Sequence, residues 1–163
     1  MDTPSARMTA EQAWRTLNVL WFPMLAFNLV YIFIPEFLAP PVDLLREEPQ
    51  MREGLLYTFY AAAVALFMVA TVLRRSRLAR VDTVASGGRA ASMPAAAGTQ
   101  KYMSTVLVNL ALLEHIAVLG LLAYLLLGER EALYGLTAAS VLAMLVHRPK
   151  REEFDRFARH RHR

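Results

Sequence analysis

Two ionisable side chains stand alone in an apolar run, Glu114 and His115 of "LVNLALLEHIAVLGLL", residues 107–122. An acid beside an imidazole suggests proton transfer, with one group giving up the proton that the other takes. In a helix, neighbouring residues point about 100° apart, so these two cannot face each other within one chain. Glu114 then has to be read by itself. It lies mid-way along the run, and a charge at the centre of a bilayer costs about 2.5–3.5 kcal/mol on insertion scales. Such an acid either binds a proton or cation or is a structural, hydrogen-bonded group. Asn28 or a tyrosine of the second helix (Tyr57 or Tyr60) would be a structural partner.

His115 is expected as a polar contact between helices. Haem or metal ligation would need a second ligand at the same depth. His147 lies at the end of a different apolar segment, and His160 and His162 fall in the tail "RHRHR". No metal site and no cofactor are expected. The chain has no Ser–His–Asp arrangement, no Gly-rich phosphate loop and no H-E-x-x-H. It has no cysteine for a disulfide, a thiolate site or a nucleophile. The expectation is a protein that is not an enzyme.

The elements that must carry these residues are apolar. Of 163 residues, 56% are hydrophobic, against about 45–50% in soluble domains. Four apolar segments stand out, 17–34, 55–73, 105–127 and 132–146. A spanning helix needs roughly 17–25 such residues, so the first three qualify and the fourth is short. The first is longer than a signal peptide's apolar core and no A-x-A site follows it, which favours an uncleaved helix. The fold expected is all-α, an integral membrane four-helix bundle made of two hairpins. A flexible linker over 74–104 joins the hairpins, and a basic tail over 147–163 follows them.

Charge fixes the expected orientation. With four spans, the N-terminal segment, the 74–101 loop and the tail lie on one side, with fifteen Lys and Arg against three on the other. The positive-inside rule puts that side in the cytoplasm and the chain in the cell inner membrane, with both termini inside. The net charge of +4 is therefore a topology signal, and nucleic acid is not an expected partner. The partners expected are membrane lipids and other membrane protein subunits, or a copy of the chain itself. Arg74, Arg75, Arg77, Lys150 and Arg151 are placed against anionic headgroups. Phe154, Phe157 and Ala158 would form one face of an amphipathic tail helix on the inner leaflet.

Helices in lipid associate through small residues and interhelical hydrogen bonds. Ala61 and Ala65 in the second helix, and Gly135, Ala139 and Ala143 in the fourth, are expected at the contacts. Asn28 and Asn109 are expected to hydrogen bond between helices. Pro23 should kink the first helix or sit in its first turn. Trp14 and Trp21 should anchor at the interface. Val42, Leu44 and Leu45 should hold a turn at the opposite surface.

The stretch "LALLEHIAVLGLLAYLLL" resembles the carboxylate-bearing helix of rotary ATPase c (proteolipid) subunits. Glu114, Ala117 and Gly120 fit that family's pattern of a Glu in a small apolar run with a Gly six residues on. Uncharacterised bacterial four-helix membrane proteins are also similar. The resemblance implies a proton-binding carboxylate at Glu114 in an oligomer. It covers only this helix: the second helix has no glycine ladder and the following loop is longer than a proteolipid's. The functional expectation is a non-catalytic accessory or assembly subunit of a membrane complex, with ion handling through Glu114 as the alternative.

Overall fold

A computed structural model describes residues 9–37, 44, 45, 47–86 and 95–159. Every regular element among them is a helix: α1 Ala10–Phe37, α2 Pro49–Ser86, α3 Ala95–Leu127, α4 Arg130–Val146 and α5 Arg151–Arg159. The ends follow from local chemistry. Thr9 and Gln12 close a capping box, each side chain accepting the other's backbone N–H at 3.2 and 2.9 Å, and this starts α1. Pro49 opens α2, where its missing N–H costs nothing. Gly128 stops α3 in the left-handed region, at φ 71°, with its N–H on the Tyr124 carbonyl. Pro23 lies inside α1 rather than in its first turn, and deprives the Val19 carbonyl of its usual donor.

Among the described residues three helices are long and apolar enough to cross a membrane, over Ala10–Pro35, Pro49–Arg77 and Gly98–Leu127. The 17 residues of α4 reach about 25 Å. The helices run well past the apolar segments. The expected linker shrinks accordingly, since α2 continues to Ser86 and α3 begins at Ala95. Val42, residues 87–94 and the tail histidines His160 and His162 lie outside the described residues.

The arrangement is centred on α3, which packs against α1, α2, α4 and α5. α3 and α4 form the expected tight hairpin. Among the described residues α1 and α2 do not form a second one: α1 lies on α3 and α4, α2 lies mainly on α3, and no comparable interface joins the two. Of Gly54, Gly120 and Gly135, only Gly120 has a neighbouring helix close against it. A Cβ there would lie 3.0 Å from Leu136 Cβ and 3.2 Å from the Leu133 backbone.

The small-residue stripes expected at the contacts mostly face outward. Ala61, Ala65, Gly135 and Ala139 are exposed, and only Ala143 is buried. The buried face of α4 is instead Leu133, Leu136, Thr137, Ser140 and Met144, and α2 buries Ala63 and Ala70. The turn of α4 that seats Leu133 and Leu136 against Gly120 necessarily points Gly135 away.

One end of the bundle is closed by α5. Phe154 is buried between Trp14 and Tyr102, with ring centroids 5.4 and 5.7 Å away. Arg74 pairs with Glu153 at 2.8 Å, and Arg151 pairs with Glu11 at 2.8 Å while lying over the Trp14 ring. The bond that Arg151 donates to Glu11 holds its guanidinium above its ordinary pKa. α5 thus spends Phe154 on the protein, where an inner-leaflet position was expected. Arg74 and Arg151 serve ion pairs of the chain itself, while Arg75 and Lys150 stay exposed. Trp14 and the buried Trp21 likewise pack in the protein. At the opposite end Arg52 reaches the α3–α4 turn, bonding Glu129 at 2.8 Å and the Leu127 carbonyl at 3.0 Å. The Leu44 N–H donates to Leu126 there.

These contacts separate two glycines that a sequence cannot. Gly120→Ala forces a methyl against backbone and should cost about 1–3 kcal/mol. Gly135→Ala meets nothing within 4 Å and should gain about 0.5–1 kcal/mol from helix propensity. Thermal unfolding in detergent should show a lower Tm for the first variant and an equal or higher one for the second.

Candidate functional site at mid-height of α3

Charge among the described residues is confined to the two ends of the bundle. Between them lie one carboxylate, Glu114, one imidazole, His115, and no Lys or Arg. Both side chains stand on α3, and the helix turns them apart. Glu114 is half-buried on the seam with α1, where Tyr31 donates its hydroxyl to Oε1 at 3.2 Å. Tyr31 is its one hydrogen-bond partner among the described residues. Neither Asn28 nor a tyrosine of α2 takes that role: Tyr57 and Tyr60 point outward.

His115 is exposed on the back of α3. Among the described residues no hydrogen bond joins it to another helix. Its Nδ1 lies 2.6 Å from the carbonyl of Ala111, one turn earlier. A carbonyl only accepts, so Nδ1 carries a proton, and in the neutral ring Nε2 is left as an acceptor turned outward.

The buried polar centre lies beside this pair rather than in it. Asn28 of α1 and Ser140 of α4 are both fully buried. The Ser140 hydroxyl lies 2.7 Å from Asn28 Oδ1 and 2.8 Å from the Leu113 carbonyl, so one proton is shared by two acceptors. Asn28 Nδ2 donates to the Met24 carbonyl at 3.0 Å and approaches Met144 Sδ at 3.4 Å. Three helices are thereby tied one residue below Glu114. Asn28 makes the interhelical bond expected of it. Asn109 does not: among the described residues its Oδ1 is buried without a partner, as is Thr137 Oγ1. Sequence reasoning missed both Tyr31 and Ser140. A serine in an apolar helix was the available signal for the latter.

His147 caps α4, its Nδ1 at 2.9 Å from the Ala143 carbonyl and its Nε2 at 3.4 Å from Thr71 Oγ1. It is far along the bundle from His115, so the two histidines cannot share a ligand. Among the described residues no group of three His, Asp or Glu side chains could hold a metal ion. Of the residues in the proteolipid-like pattern, Ala117 and Gly120 are buried and Glu114 is turned to the α1 seam. Comparisons with known protein families, with curated proteins and with solved structures find no match to this chain.

Removing Ser140's hydroxyl strands a buried amide oxygen, at a cost of about 1–3 kcal/mol. Ser140→Ala and Asn28→Leu should therefore each destabilise the protein. Their double variant should fall short of the sum by at least about 0.5 kcal/mol. A double-mutant cycle by denaturant unfolding in micelles measures this, and strict additivity would show that the two side chains do not interact.

Proposed function

We propose that the protein is a non-catalytic subunit that works within the cell inner membrane by associating with other membrane protein. In this reading α4 is a fourth span, made possible because α3 and α1 cover its buried face, and α1 begins and α5 lies on the cytoplasmic side. The excess of basic residues at the α5 end supports that orientation. Arg75 and Lys150, exposed there, are the contacts to anionic lipid. The observation that carries the reading is His115. An imidazole exposed to hydrocarbon at mid-height is costly, and ionisable side chains at that depth nearly always face protein or pair with one another. A second polypeptide over the back of α3 meets that need. The test is the mass of the protein extracted in mild detergent after crosslinking in the membrane. An assembly larger than one chain is expected, and a strict monomer overturns the proposal.

A second reading is proton or cation binding at Glu114, in keeping with the likeness to c subunits. Its support is a half-buried carboxylate whose one described partner is a neutral hydroxyl. In liposomes Glu114→Gln should then abolish ion flux, and the native protein should be labelled by a carbodiimide. Unchanged flux together with absent labelling removes this reading.

A further inference from the structure

We propose that the chain pairs with a second copy of itself along the back of α3, with Glu114 of each copy bonded to His115 of the other. The proposal rests on the association reading above and names the partner. The back of α3 presents Ser104, Val108, Ala111, His115, Val118 and Leu122, all exposed or half-exposed. Their spacing alternates between four and three residues. That is the 3.5-residue period with which two helices keep one seam facing each other. Ser104 and Ala111 are small enough for close approach. These features alone would suit several partners, and the ionisable pair selects among them.

The selection is a matter of symmetry. Glu114 flanks the seam on the α1 side, and His115 lies on the seam about 100° further round. A two-fold axis along the membrane normal turns one helix by 180° into its partner. The flank of one copy that carries Glu114 then faces the His115 side of the other. The two groups differ in height by about 1.5 Å, well within the reach of a glutamate side chain. The contact occurs twice, as an isologous interface requires.

The chemistry also matches. With Nδ1 committed to the Ala111 carbonyl, Nε2 is the acceptor left over. Glu114, with Tyr31 on Oε1, supplies the other oxygen. One proton lies between that oxygen and Nε2 of the second copy, whichever of the two holds it. The geometry that forbids an acid–base pair within the chain permits it between chains. It also removes both of the ionisable groups that a single chain would leave at its mid-height surface.

The chain has no native cysteine, so single cysteines report contacts directly. Val108→Cys and Leu122→Cys should form disulfide-linked dimers on oxidation in native membranes. Tyr57→Cys and Leu142→Cys, on other exposed faces, should form few. In liposomes of increasing lipid-to-protein ratio, His115→Leu should weaken the dimer about tenfold. The exchanged variant Glu114→His with His115→Glu keeps the pair across the axis and should restore it. Equal crosslinking at all four sites, failure of the exchange to restore, or a different protein crosslinked at the seam would each overturn the proposal. The last result would leave the association reading standing. A monomer at every dilution removes both, and a chain found outside the membrane fraction removes the spanning assignment beneath them.

Discussion

Hydrocarbon offers no hydrogen-bond partner, so each polar group that enters it must find one in protein. Several side chains of the described helices meet this locally, while Asn109 Oδ1, Thr137 Oγ1 and Trp21 Nε1 are buried with no partner among the described residues. Thr58 bonds the Gly54 carbonyl, Thr71 that of Phe67 and Thr105 that of Lys101, each one turn back along its own helix. His115 does the same with Ala111. Asn28 and Ser140 cannot satisfy themselves in this way alone, and their mutual bond joins α1, α3 and α4 at one level. Packing follows from that knot. Gly120 brings α3 and α4 together above it, and the aromatic cluster of Trp14, Tyr102 and Phe154 closes the bundle below.

The sequence shows the apolar lengths plainly, because crossing hydrocarbon demands them. Segments 17–34, 55–73 and 105–127 each fall inside a helix. It does not show where those helices end. Hydropathy measures preference for hydrocarbon, while a helix persists for as long as its backbone bonds and caps allow, as α2 does beyond Arg74. Small residues mislead for a related reason. Ala61, Ala65, Gly135 and Ala139 permit close approach without saying which face is approached. The face of α4 was settled by a glycine on another helix.

Long-range ion pairs leave no local trace. Arg52–Glu129, Arg74–Glu153 and Arg151–Glu11 join residues far apart in the chain, and only the common end of each pair is readable from topology. The amphipathic character of α5 is legible, but its apolar face suits a lipid surface and a ring of aromatic side chains equally. At mid-height of α3 the sequence locates Glu114 and separates it from His115 by helical geometry alone. It does not supply Tyr31, because several tyrosines stand at plausible depths and only the α1–α3 contact decides among them.

The dependence of α1 and α2 on α3 has a consequence for biogenesis. A chain emerges in order from its N-terminus, and these two helices enter the bilayer before the partner that both require. Among the described residues no comparable interface joins the two, so neither replaces the packing that α3 later supplies. Their surfaces are suited to that wait: in both, most of the apolar stretch stays uncovered even in the finished bundle. α4 is the opposite case. It is short, it carries Thr137 and Ser140 on its inner face, and it emerges only when α3 is already present to receive it. α4 thus follows in the chain the helix on which its buried face depends.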